Sequence, residues 1–200
     1  MWLHGTPADA APELDAAELA TLPPAELLGA YAEYLARAGV LAHGFTFAEL
    51  VRPTSPEHQL PPPKLWRNIV PTLVVAIELR ERMLTEGATG LSVRAAYRPA
   101  GGKPRSAHKV NCALDLDLLA TDLERRPGLA RTFLQVAAGL YAELLGTGTR
   151  VGMGSYGPPH STRRVHVDIN HAHPARPNTW TIHRKAYTAP ALIAALEGRP

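Results

Sequence analysis

Two histidines and a set of aspartates stand at spacings that could serve metal-assisted hydrolysis. In Ser106-Ala107-His108-Lys109-Val110-Asn111-Cys112-Ala113-Leu114-Asp115, a short polar turn runs into a strand and carries an imidazole seven positions before a carboxylate. From Ala113 to Leu118 the residues alternate, so Leu114, Leu116 and Leu118 share one face and Asp115 and Asp117 the other. A carboxylate pair on an otherwise apolar strand is costly to bury unless its charge is compensated. A second alternating run, Arg164-Val165-His166-Val167-Asp168-Ile169-Asn170, can compensate it. There Val165, Val167 and Ile169 face a core, while His166, Asp168 and Asn170 share the opposite face. If the two strands are neighbours, His108, Asp115 and His166 can meet at one point. Two imidazoles, one carboxylate and an open position form a ligand set known for catalytic zinc. The alternative is a buried, hydrogen-bonded trio without metal.

The elements that must hold these groups can be read in chain order. Residues 1–22 are rich in Ala, Pro and acidic side chains and read as a loosely held extension. Pro23-Pro24 then opens a helix in which Leu27, Leu28, Tyr31, Tyr34, Leu35 and Ala38 recur at helical spacing up to Gly39. This divides the chain into an extension with a docking helix (1–44) and a catalytic domain (45–200). Residues 52–63 read as a proline-stiffened connector with His58 solvated. Lys64 to Glu86 is helical, kinked or restarted at Pro71, with Leu73, Ile77, Arg80 and Leu84 as its inner stripe. Leu91 to Arg98 is a strand that places Ser92, Arg94, Ala96 and Arg98 on one side, and a Pro/Gly loop then delivers the chain to His108. Pro127 opens a second long helix reaching Leu145, with Leu129, Phe133, Val136, Leu140 and Leu144 as its stripe. Glycines from Gly146 to Gly157 make turns around a short Val151-Gly152-Met153 strand. A polar loop holds His171, His173 and Trp180, and Pro190 to Glu197 forms a terminal helix. Strands joined partly by helices and partly by Gly-rich turns predict an α+β fold, a small mixed or antiparallel sheet backed by helices.

Composition narrows the function classes. The 200 residues, 46% hydrophobic and 20% charged, suit an ordinary globular domain with a full core. A net charge of +3, with no Lys/Arg run longer than two, gives no argument for nucleic acid as a partner. The single Cys112 excludes an internal disulfide framework and reads as a packing residue. No apolar run approaches the roughly 18 residues of a membrane span. The N-terminus shows neither the basic nor the apolar region of a signal peptide, so localisation and oligomeric state stay open.

The motifs resemble those of the zinc D-alanyl-D-alanine carboxypeptidase and peptidoglycan endopeptidase family, a branch of the LAS metallopeptidases. Its Ser-x-His-x-x-Gly-x-Ala-x-Asp signature is matched by Ser106, His108, Ala113 and Asp115, with Asn111 at the usual glycine. Its Val-His-Val/Ile-Asp strand after a Val-Gly segment is matched by Val165 to Asp168 after Val151-Gly152. Tyr97-Arg98-Pro99 is similar to the family's arginine-bearing strand end, and Phe45 to Leu50 to its Phe-Thr/Ser-x-x-Glu-Leu patch, one residue shorter. The resemblance covers about residues 45 to 185. It implies a LAS-type fold with zinc on His108, Asp115 and His166 and a peptidoglycan peptide as substrate, which would place the protein in the periplasm or outside the cell. Arg98, or else Arg94, would stabilise the oxyanion or hold a substrate carboxylate; Ser106 would orient a ligand, and His171 would line the pocket. Many members carry an acidic general base three residues before the last histidine; here Arg163 stands there, and Asp168 is the nearest substitute. Asp117 and Asp168 could instead be structural partners of Arg94, Arg98 or Arg164. Two rivals remain: a zinc-containing module that binds cell wall or protein without catalysis, and a non-haem iron oxygenase built on His166-x-Asp168.

Overall fold

Five strands form one mixed sheet in the order β1-β2-β4-β3-β5. They are β1 (Gly90–Ala95), β2 (Ala113–Leu119), β3 (Val151–Ser155), β4 (Arg164–Ile169) and β5 (Asn178–Thr181). The computed structural model from which this is drawn describes residues 13–41, 43–100, 106–123, 127–149, 151–156, 163–169 and 178–181. The first four strands in the order pair antiparallel, and β5 lies parallel to β3. Trp180, expected in a polar loop, belongs to β5; the expected Val151-Gly152-Met153 strand is longer by two residues, so Gly154, expected in a turn, lies inside β3.

The alternation seen in the sequence sorts the sheet into two faces. Leu114, Leu116, Leu118, Val151, Met153, Val165, Val167 and Ile169 are buried in the core. Over them lie α4 (Trp66–Thr85), which packs across β2 and β4, and α5 (Pro127–Gly146), which packs on β3. Pro71 sits within α4 and the helix runs through it. The inner side of α4 is Ile69, Leu73, Ala76, Leu79 and Met83; Ile77, Arg80 and Leu84 are half-buried at its border. The expected stripe was therefore displaced to one edge of a wider apolar band, with Leu73 common to both. In α5 the expected Leu129, Phe133, Leu140 and Leu144 are buried, while Val136 lies at the margin.

Strand β1 departs from its simple alternation. Val93 pairs with Leu116 and Ala95 with Asp115, so Arg94 is the extra residue of a bulge and projects into solvent. The slip moves Ala95 onto the polar face of the sheet, and the expected common side for Ser92, Arg94, Ala96 and Arg98 is lost at that point.

Residues on both sides of position 45 share one core. Helix α1 (Ala16–Leu19) is capped by the Asp15 carboxylate, which accepts from Ala17 and Glu18 N–H at 3.0 Å, and Leu14 and Leu19 pack on the core. Residues 13–22 thus form a capped helical turn that rests on the core without burying a residue fully; residues 1–12 lie outside the described set. Helix α2 (Pro24–Arg37) buries Tyr31, Tyr34 and Leu35, with the Tyr31 ring 4.8 Å and the Tyr34 ring 5.8 Å from that of Trp66. Helix α3 (Phe47–Leu50) starts where the Glu49 carboxylate accepts from the Thr46 N–H at 2.8 Å, a capping box. His58, expected to be solvated, is buried: its Nε2 donates to the Arg94 carbonyl at the bulge, 2.9 Å away. The expected terminal helix lies outside the described residues. Among those described, no helix is long and apolar enough to cross a membrane.

Candidate metal centre

His108 is delivered by one turn of 3-10 helix, Ala107–Val110. Asn111 ends that turn in the left-handed conformation (φ 54°, ψ 42°), which an asparagine tolerates better than most residues. Its amide donates to the Leu65 carbonyl at 3.0 Å, anchoring the turn to the start of α4. The chain then enters β2, where Asp115 stands directly opposite His166 of β4. The two-strand convergence expected from the sequence is therefore a cross-strand pair, with the His108 turn folded over it.

Second partners orient both rings. His108 Nδ1 lies 2.7 Å from the Ala96 carbonyl, which can only accept, so Nδ1 donates to it and Nε2 is the ring atom turned toward Asp115. That Nε2 is buried, lacks a hydrogen-bond partner and lies 3.4 Å from Asp115 Oδ1. His166 Nδ1 is 2.9 Å from the same oxygen, and His166 Nε2 is 3.0 Å from Asp168 Oδ2. The ligand atoms of His108, Asp115 and His166 all lie within 4.8 Å of one another. Donors about 2.0–2.1 Å from a tetrahedral ion would be about 3.3 Å apart, and the two separations to Asp115 Oδ1, 3.4 and 2.9 Å, lie near that value. The three residues can hold a metal ion.

The electrostatics suit a cation. Burial alone would raise the Asp115 pKa, but hydrogen bonds and charge from His108 and His166 outweigh it and hold the carboxyl well below its usual range. Burial would lower the His166 pKa, and the two flanking carboxylates, Asp115 and Asp168, instead push it up to about 9.

The remaining expected residues are distributed as follows. Asp168 is buried behind the His166 ring, on Nε2, while Nδ1 faces His108 and Asp115; this is the carboxylate–histidine arrangement that orients a ligand. Gly152 makes room for it, since a Cβ there would collide with the Asp168 carboxylate. Arg98 pairs with Glu57 at 2.8 Å, and its backbone N–H donates to the His108 carbonyl, which keeps it beside the metal-ligand turn. Arg94 projects from the bulge into solvent, and Ser106 caps the His108 turn through its backbone carbonyl, 3.0 Å from Lys109 N. Asp117 forms a two-pronged pair with Arg164, at 2.6 and 2.9 Å. Arg163 is exposed, and its carbonyl accepts from Leu118 N–H at 2.9 Å. His171 lies outside the described residues. Cys112 is buried packing, and burial, with the charge of Asp168, pushes its thiol up to about 12.

Sequence reasoning does not reach Tyr156. It follows β3, the Arg164 guanidinium lies 5.5 Å from its ring centre, and burial first, then the negative charge of Asp115, raise the pKa of its phenol. The available signal was Gly152-x-Gly154-x-Tyr156, one face of β3 on which two absent side chains precede a large one.

Fold and site together define a class: an α+β protein with a buried two-histidine, one-aspartate cluster able to bind a metal. No family model matches the chain, and neither the curated proteins nor the solved structures include a match to it.

Proposed function

We propose that the chain is a zinc-dependent peptidase of LAS type that hydrolyses a peptide bond in peptidoglycan stem peptides or cross-links. The observation that carries this reading is the cluster around His108 Nε2: buried and without a hydrogen-bond partner, that atom lies 3.4 Å from Asp115 Oδ1 beside His166. A buried ring nitrogen left without a partner is costly unless something binds it. The order of the Ser106–Asp115 and Val165–Asp168 motifs adds the family, and with it zinc and the substrate class.

Zinc held by His108, Asp115 and His166 would supply Lewis acidity and a water acidified to a pKa near ~7. The chain's own residues supply the setting. Asp168 and the Ala96 carbonyl fix the two ring orientations, and Glu57 holds Arg98 where its guanidinium can take a substrate carboxylate or a developing oxyanion. For Asp168 to accept a proton from the attacking water, it would have to leave His166 Nε2. That engagement, with Arg163 at the position of the usual acid, favours a second reading: a zinc-containing module that binds cell-wall peptide without cleaving it.

Digestion of purified muropeptides by metal-loaded protein, with His108→Ala alongside, separates the two. Cleavage by wild type alone supports the peptidase. Retention of muropeptides by wild type with every bond intact supports the binding module. Identical profiles and no retention in either sample would end both readings.

A further inference from the structure

The short link between His108 and Asp115 is tied to α4 at successive residues. The Val110 carbonyl accepts from the Asn68 side-chain amide at 2.9 Å, the Asn111 amide donates to the Leu65 carbonyl at 3.0 Å, and the Cys112 carbonyl accepts from the Thr72 hydroxyl at 2.7 Å. Positions 65, 68 and 72 are three and four apart and so lie along one side of the helix. These links converge on Cys112. Its N–H donates at 3.2 Å to the carbonyl of Ala107, next to His108, and its carbonyl also accepts at 3.2 Å from the N–H of Ile169, next to Asp168. The same Ile169 N–H meets the Thr72 hydroxyl oxygen at 3.1 Å. Thr72 thus joins the entry of β2 to the end of β4, just beyond the pairing of Ala113 with Asp168.

Thr72 is fully buried, on a helix whose other inner residues, among them Ile69, Leu73 and Ala76, are apolar. A hydroxyl taken into such a core is costly unless it is bonded, and in a helix interior it can turn back to the carbonyl of the preceding turn. Thr72 instead gives its proton to Cys112 and its lone pair to Ile169. The backbone does not need it for satisfaction, since Ile169 N–H and the Cys112 carbonyl already meet each other. What the hydroxyl adds is a fixed place for both strand ends relative to the helix. We propose that Thr72 is a positioning residue for the metal site: through Cys112 and Ile169 it sets the His108 turn against the strand pair that carries Asp115, His166 and Asp168, and Asn68 assists through Val110. The proposal rests on the reading of His108, Asp115 and His166 as metal ligands, and it does not depend on hydrolysis. Ligands drawn from a turn and two strands bind an ion tightly when they are held within about 0.5 Å of the bound geometry. A tether that sets their relative placement therefore acts on affinity and coordination geometry as well as on stability.

The test uses the full chain with Co2+ and Zn2+ as probes. Affinity is read by chelator competition, and coordination geometry by the visible absorption of the Co2+ form. Thr72→Val keeps the branched shape and removes the hydroxyl. It is expected to weaken both metals about tenfold, the lower end for loss of an outer partner, and to shift the Co2+ spectrum, while the far-ultraviolet circular dichroism stays that of wild type. Thr72→Ser keeps the hydroxyl and is expected to restore wild-type affinity and spectrum. Asn68→Ala is expected to shift the spectrum in the same direction as Thr72→Val with a smaller loss of affinity. If Thr72→Val does not fold, Asn68→Ala decides by the same two readouts. Wild-type affinity and an unchanged spectrum in folded Thr72→Val, even with a lower melting temperature, would overturn the positioning role while leaving the metal site intact. An equal loss in Thr72→Ser would also overturn it, since the hydroxyl would not be what matters. A wild type that takes up neither metal would overturn both the proposal and the metal site. Weakened binding in a protein that cleaves no muropeptide would uphold this proposal and remove the peptidase.

Discussion

His58 shows how much a single imidazole can depend on contacts that no local pattern announces. Burial lowers its pKa, assisted by the charge of Arg52 and opposed by the Glu49 and Arg94 backbone and by Glu57. With the folded pKa below the unfolded value of about 6.5, the unfolded chain binds the extra proton first. Its contribution is therefore complete above about pH 6.5 and falls away as the pH drops below that. Melting temperatures of wild type and His58→Gln between pH 7.5 and 5.5 should show wild type losing more stability on acidification; parallel curves would refute the assignment. The surrounding sequence is rich in proline and polar residues, and it is the Arg94 bulge, 36 positions away, that accepts from the ring at 2.9 Å. Asn111 is the opposite case. Its place in the glycine position of a turn motif was legible, and the left-handed backbone follows directly from it. His108, Asp115 and His166 were legible because strand alternation and turn spacing are local rules. Tyr156 was not, since its place beside Arg164 depends on which strand adjoins β4.

Among the elements, β3 is the one whose sequence is set by its neighbour. Val151 and Met153 belong to the core, while Gly152 leaves its polar side to the Asp168 carboxylate. Both partners are strand-bound and buried, so neither can step aside without disturbing the ladder. Gly152→Ala should cost about 1–3 kcal/mol, the range for overpacking, and should also weaken Co2+ binding by pushing Asp168 off His166. Gly29→Ala, in α2 with nothing within 4 Å of the added Cβ, is the matched control and should be neutral or stabilising. Equal urea midpoints for the two variants would show that the Asp168 carboxylate relocates freely. The sequence permits this account but does not compel it, because a glycine in a strand pattern reads equally as a turn. The bulge at Arg94 was hidden for a related reason: a strand that gains one residue keeps its composition and changes only its phase.

At the scale of the molecule, the N-terminal helix tests whether the site-bearing part can stand alone. Sequence composition changes near position 45, which suggests a boundary, but the apolar side of α2 has no partner of its own. Tyr31, Tyr34 and Leu35 are almost completely inaccessible and pack with Trp66 at the start of α4, while Tyr31 also meets Phe47 edge-on at 5.9 Å. Asn111, the residue that closes the His108 turn, bonds Leu65 in the same corner. Burying three such side chains is worth about 1.5–3 kcal/mol each, so removing them forfeits several kcal/mol of a total stability near 5–15. The loss also uncovers the apolar flank of Trp66 and loosens the turn that carries His108. A fragment of residues 45–200 should therefore unfold without cooperativity or aggregate, and Co2+ should fail to produce in it the absorption seen with the full chain. Adding a peptide of residues 13–41 in trans should restore part of that absorption. A fragment that melts as sharply as the whole protein and binds Co2+ equally well would show that α2 only rests on a self-sufficient domain.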